Sequence, residues 1–267
     1  WVIRIDFEST TKRHEKLPTH ESLIAVAAIS NSNLEGDDAL FQAMVEIMFT
    51  TGLRFDEVIC LDVDCLQVRE IEEQNVFTGE MEILSIHEIR YRAKKGAGYQ
   101  TKPISLSMLP ILKKGLTSAL EILAPVRDTI KCVANGKYDF FPIITEDCEL
   151  FVTDIWERLN WSSRSNLTSY LKKRNINLTN KRNPNTGAIA GTFHPSDLKG
   201  KAFSLAQESI DQLWKQISEL TVADSLDKLI FVTQHQQHHS DKRAEPWEFT
   251  MISYTQIYDY IAGRPDV

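Results

Sequence analysis

Apolar residues recur at helical spacing in several stretches of the chain and alternate with polar ones in others. Leu40, Met44, Ile47 and Met48 share one face of a helix. Gly52 is placed to end that helix, because glycine takes a positive φ without strain. Ser107 to Leu123 repeats the pattern through Leu109, Leu112, Leu116, Ala119, Leu120 and Leu123. Between them, Asp62 to Val68 reads as the edge of a strand region, and Glu80 to Tyr91 alternates as a strand does. Tyr99 to Leu106 returns as its partner, with Pro103 suited to a sheet edge. The intervening Lys94-Lys95-Gly96-Ala97-Gly98 makes a basic, glycine-loosened hairpin tip. Further helices are predicted over Ser22–Ser30, Phe151–Leu159, Ser165–Arg174, Pro195–Ile217 and Asp224–Phe231, with Ser196 as an N-cap. Leu178 to Gly191, rich in Asn and Thr, reads as a loop. The pattern is that of a mainly α chain with a small antiparallel β-sheet, an α+β fold.

At 267 residues and 42% hydrophobic, the chain has material for one substantial core or two modest ones. It opens on Trp1, so it is expected to be a fragment of a longer protein. Residues 1–16 would be a linker or the end of a preceding domain, and 17–267 one domain. No run approaches the ~18 apolar residues of a membrane span, and no signal-peptide pattern is present, so a soluble intracellular chain without membrane partners is expected. Cys60, Cys65, Cys132 and Cys148 form no CxxC pair and read as reduced thiols.

The net charge of −7 argues against a general nucleic-acid binder. The cations are unevenly spread, however. Arg90, Arg92, Lys94, Lys95 and Lys102 form one cluster, Lys172, Lys173, Arg174, Lys181 and Arg182 a second, and Lys199 and Lys201 a third. Either a DNA-facing side with an acidic back or an ordinary mixed surface accounts for them.

The candidate chemistry starts at the Gly52 break. Arg54 falls where a buried helix ends and the backbone turns, a place where a guanidinium can be held rigidly and offer phosphate a planar fork of donors. Glu57, one turn on, is spaced to orient it. Later, His235, His238 and His239 gather near the end of the chain. Zinc is disfavoured for them, because no cysteine is near and the Glu of a His-Glu-x-x-His motif is missing.

Thr51-Gly52-Leu53-Arg54-Phe55-Asp56-Glu57 after an apolar helix resembles the first active-site motif of the tyrosine recombinases, the phage-integrase family. Lys95-Gly96 resembles that family's hairpin lysine, with Lys94 as rival. Asp197-Leu198-Lys199 resembles the Asp-Leu-Arg core of its second motif, with Lys199 in place of arginine and His194 five residues upstream instead of three. His239-Ser240 resembles the start of a Gly-His-Ser motif, and Thr250-Met251-Ile252-Ser253-Tyr254 the tyrosine segment. The gap from His239 to Tyr254 is long, and Lys242 to Trp247 reads as an insertion.

The resemblance implies a tyrosine-recombinase catalytic-domain-like fold over 17–267 and a site-specific recombinase or integrase. It would cleave and rejoin double-stranded DNA through a 3′-phosphotyrosine. Tyr254 would be the nucleophile, with Tyr258 and Tyr260 as rivals. Arg54, Lys199 and His239 would hold the phosphate oxygens, Lys95 would be general acid, and His194 would assist deprotonation. The other clustered cations, from Arg90 to Lys201, would face DNA. It also implies no cofactor or metal, a homotetramer on two DNA sites (with other recombinase subunits as further partners), and a bacterial cytoplasm or nucleoid location. Two alternatives stay open: a recombinase-like DNA-binding domain that has lost catalysis, and a helical interaction module that does not bind DNA.

Overall fold

The computed structural model describes residues 34–74, 79–93, 98–159, 161, 163–235 and 245–261, with scattered positions between 21 and 32. The helix expected over Ser22–Ser30 and the Lys94–Gly98 tip fall largely outside them. The elements in order are α1 (Gly36–Thr51), α2 (Phe55–Val58), β1 (Leu66–Gln74), β2 (Met81–Arg92), β3 (Tyr99–Pro103), α3 (Leu109–Ile122) and α4 (Ala124–Ala134). Then follow β4 (Leu150–Phe151), α5 (Val152–Ile155), α6 (Arg164–Lys173), β5 (Thr179–Arg182), β6 (Ile189–Phe193) and α7 (Pro195–Ile217). A 3-10 turn (Leu226–Lys228), β7 (Val232–His235), β8 (Glu245–Met251) and α8 (Tyr254–Ile261) complete the described elements. The fold is mixed α+β, and among the described residues the strands form three small antiparallel sheets, ordered β1-β2-β3, β4-β6-β5 and β7-β8. Among the described residues no helix is long and apolar enough to cross a membrane.

Two apolar clusters hold the elements. The first joins α1 and α3 through Leu40, Met44, Ile47, Leu112, Leu116 and Ala119, and takes in Ile89 from β2 and Ile230, Phe231, Ile252 and Ile257 from the end of the chain. The second is built on α4, α6 and α7, with Val232, Trp247 and Phe249 from the β7-β8 sheet. Residues before 124 thus share a core with Ile230, Phe231, Ile252 and Ile257, and most of the chain between 124 and 229, with the β7-β8 sheet, makes the other. The seam runs beside Asp62, whose bridge to Leu229 is flanked by bonds from Val63 N to Lys228 O (2.8 Å) and Ile230 N to Leu61 O (3.0 Å).

Four segments depart from the expectations of the sequence. Asp224–Phe231 is not a helix: after the 3-10 turn the chain bridges at Leu229, bends at Ile230 and Phe231 and enters β7 at Val232, and these four residues are buried, so every side faces protein. A short, uniformly apolar run carries no period to separate helix from buried strand. Leu178–Gly191 is a hairpin, turned where Asn183 Oδ1 accepts from Asn185 N at 2.8 Å and Gly187 sits at φ +70°. Of the expected insertion over Lys242–Trp247, residues 242–244 lie outside the described ones, and Glu245 to Trp247 open β8, which pairs with β7. The predicted helix over Phe151–Leu159 shrinks to the single turn of α5.

Candidate active site

α1 presents its apolar face to α3, and Asp37 and Asp38 in its first turn suit the positive end of its dipole. Gly52 stops it at φ +61° and ψ 24°, donating its N–H to Met48 O at 2.8 Å. Thr51 stitches the corner from within: its buried hydroxyl donates to Ile47 O (2.6 Å) and accepts from Leu53 N (3.2 Å). Leu53 is buried, and the chain turns outward at Arg54. Arg54 is the N-cap of α2, and its backbone N–H donates to Glu57 Oε2 at 2.9 Å. Glu57 therefore fixes the Arg54 backbone, where the sequence had it orienting the guanidinium. The Arg54 side chain is exposed.

Two further side chains reach this corner. On β3, Lys102 extends so that a methyl added to Gly52 would lie 3.1 Å from its Nζ. From α8, the Tyr254 ring meets the Phe55 ring edge-on, with centroids 5.5 Å apart. Tyr254 is 63% exposed, so its phenol is open to a ligand. Tyr258 stacks on Tyr254 at 6.2 Å and is also exposed. Tyr260 turns the other way, packing on Phe41, and burial together with Asp38 and Glu46 pushes its phenol pKa up. Of the three tyrosines, Tyr254 is the one carried by the residue next to Arg54. Behind the corner a cleft is lined by Asp56, Ile59, Cys60, Arg92, Glu219 and Leu220, among others.

The remaining residues singled out in the sequence are placed elsewhere or lie outside the described chain. Lys199 donates to Asp139 Oδ2 (2.6 Å) and to Ile144 O (2.8 Å), tying α7 to the 139–144 loop. His194, not Ser196, is the N-cap of α7: its Nδ1 is 2.7 Å from Ser196 Oγ and 3.4 Å from Ser196 N. Beside it, Glu149 is held below the usual carboxylate range, first by its bond to Lys181, with smaller help from Thr192 and His194. Lys94, Lys95, His238 and His239 lie outside the described residues.

Several clustered cations have intramolecular partners. Arg90 pairs with Asp62 (2.8 Å), Arg174 with Glu248 (3.0 Å), and Lys181 with Glu149. Arg182 donates to Gly187 O (3.0 Å), and Arg92 lies over the Tyr99 ring. Lys172 and Lys173 are exposed in the last turn of α6, and Lys201 is half-buried on α7. Among the described residues no group of three or more His, Cys, Asp or Glu side chains is arranged to hold a metal ion.

Sequence reading missed Phe55 as the carrier of Tyr254 and Asp139 as the partner of Lys199. Phe55 was there to be weighed, as an aromatic beside the motif arginine. Asp139 is sixty residues from Lys199, and no local signal links them. Compared with protein-family models, curated proteins and solved structures, the chain matches none.

Proposed function

We propose that the Arg54 corner is the phosphate site of a DNA strand transferase of the tyrosine-recombinase type. The observation that carries the reading is the placement of an exposed phenol, Tyr254, on the ring of Phe55 beside Arg54. Arg54 offers a scissile phosphate two parallel N–H donors toward its non-bridging oxygens. Tyr254 Oη attacks phosphorus, the bond from phosphorus to the 5′-oxygen breaks, and that oxygen leaves as a hydroxyl after accepting a proton. The phenol gives up its own proton to a nearby base. One phosphodiester is exchanged for one phosphotyrosine, so attack by a 5′-hydroxyl reverses the step without an energy source. By the resemblance, Lys95 supplies the proton to the leaving oxygen and His239 adds a donor to the phosphate; Lys199 would do so only on release from Asp139.

The test is a pool of end-labelled duplexes of randomised sequence, each nicked so that cleavage releases a short fragment and traps the intermediate. The wild-type chain is expected to give a detergent-resistant protein–DNA adduct. Tyr254→Phe should abolish it, and Arg54→Ala should reduce it by about 100-fold or more. An adduct that survives in Tyr254→Phe overturns the assignment.

A second reading is favoured by one observation. Lys199, which stands for the family's second arginine, is engaged by Asp139 and Ile144 O. On that reading the chain is a recombinase-like DNA-binding domain without catalysis. The same experiment then shows salt-dependent binding of the duplex pool and no adduct.

A further inference from the structure

We infer that Lys102 is a second phosphate-gripping cation of this site, working beside Arg54; this rests on the strand-transfer reading above. In the β2-β3 ladder Lys102 is the cross-strand partner of Ile89, and directly paired residues project to the same face of a sheet. Ile89 is wholly buried, so Lys102 leaves the strand on the core side, where an aliphatic residue is the ordinary occupant. A lysine is tolerated there because its four-carbon stem packs like an aliphatic chain while its ammonium reaches the surface. It surfaces at Gly52, two residues before Arg54, where the missing side chain leaves the room for Nζ.

Glu57 accepts from the Arg54 backbone amide and keeps its negative charge, and Asp56 adds a second carboxylate to the first turn of α2. Among the described residues no carboxylate forms an ion pair with Lys102 or with Arg54. The last carbonyls of α1 attract the ammonium but carry only a partial charge. Two cations brought to one corner, neither tied up in an ion pair, form a place for an anion, and an exposed phenol stands beside them. A strand holds Lys102 more rigidly than a hairpin tip holds a lysine, which suits a residue that grips in place.

Lys102→Met keeps the stem and removes the charge; Lys102→Arg restores the charge. DNA affinity for the nicked duplex pool is measured against salt, alongside the rate of adduct formation and the melting temperature. With one phosphate no longer neutralised, Lys102→Met makes the slope of log Kobs against log salt shallower by about 0.9, and Lys102→Arg returns it. Adduct formation in Lys102→Met is expected to fall at least ~10-fold, the scale of removing one charge-stabilising donor.

A merely structural lysine would move the melting temperature and leave the slope untouched, which overturns the inference. So does a wild-type slope and rate in Lys102→Met. If the wild-type chain binds DNA without forming an adduct, strand transfer fails and the slope alone decides for or against Lys102. If it does not bind DNA at all, both fall.

Discussion

Gly115 on α3 faces α1 at close range, and replacing it by alanine sets two effects of known size against each other. A methyl at this position would lie 3.0 Å from Ala43 O, 3.2 Å from Glu46 Cβ and 3.3 Å from Glu46 Oε2. Ordinary carbon contacts are about 3.5–4.0 Å, so α1 and α3 must separate by several tenths of an ångström or strain their side chains. Overpacking of this kind costs about 1–3 kcal/mol. In favour of alanine stands helix propensity, worth up to ~1 kcal/mol in a helix interior. The neighbour at closest approach is backbone and cannot swing aside, so packing wins and Gly115→Ala is expected to lose about 1–2 kcal/mol.

Gly200 on α7 is the internal control: it is helical, exposed, and has nothing within 4 Å of an added methyl. Gly200→Ala should therefore be stabilising by up to ~1 kcal/mol. Thermal and urea unfolding of the two variants should move in opposite directions, by roughly 2–4 °C for each kcal/mol in a chain of this size. A rise in melting temperature for Gly115→Ala would show that the helices do not approach as closely as described.

Other outcomes follow from individual side chains. Asn183 is fully buried, and its amide donates to Thr153 Oγ1 (3.0 Å) and Asp154 Oδ1 (2.9 Å) while its carbonyl accepts from Asn185 N. Asn183→Ala should cost about 1–3 kcal/mol in urea unfolding, and unchanged stability would refute that role for the turn. Glu46 is 2% exposed and pairs with Lys114 at 3.1 Å, with Ser30 Oγ donating at 2.5 Å. Lys114→Met should cost roughly 1–3 kcal/mol, less than a fully buried pair, because the ammonium is half exposed and Ser30 still donates. Adding Glu46→Gln should recover part of the loss. Arg158 holds Glu146 down from 4.5 to about 2, chiefly through their hydrogen bond. A carboxyl lowered on folding stabilises above its unfolded pKa and loses that contribution as pH falls through the folded one. Glu146→Gln should thus flatten the stability profile between pH 4.5 and about 2, and an unchanged acid limb would count against the pairing.

The corner and the hairpin were legible because each is written in local chemistry. A helical apolar stripe stopped by Gly52, and alternation from Glu80 to Tyr91 with a glycine turn, carry their own period. The role of Glu57 was half legible: its spacing was right, yet the closer donor is a backbone N–H that α2 leaves unpaired. The β7-β8 sheet could have been read from Trp247-Glu248-Phe249, where the aromatics are buried and the glutamate is not. What lay beyond reach was long-range: the hold of Asp139 on Lys199, the arrival of Tyr254 on Phe55, and the exit of Lys102 at Gly52. Each depends on how distant segments dock, and residue spacing does not encode that.

The core around α1 has a consequence for how the chain is made. Ile230, Phe231, Ile252 and Ile257 complete a cluster whose other members lie before residue 124. A ribosome must therefore release the chain through Ile257 before that early segment can close over its apolar face. Until then Leu40, Met44 and Ile47 lack the cover of these four residues, so a chain stalled before residue 230 should be more readily cut by protease within α1.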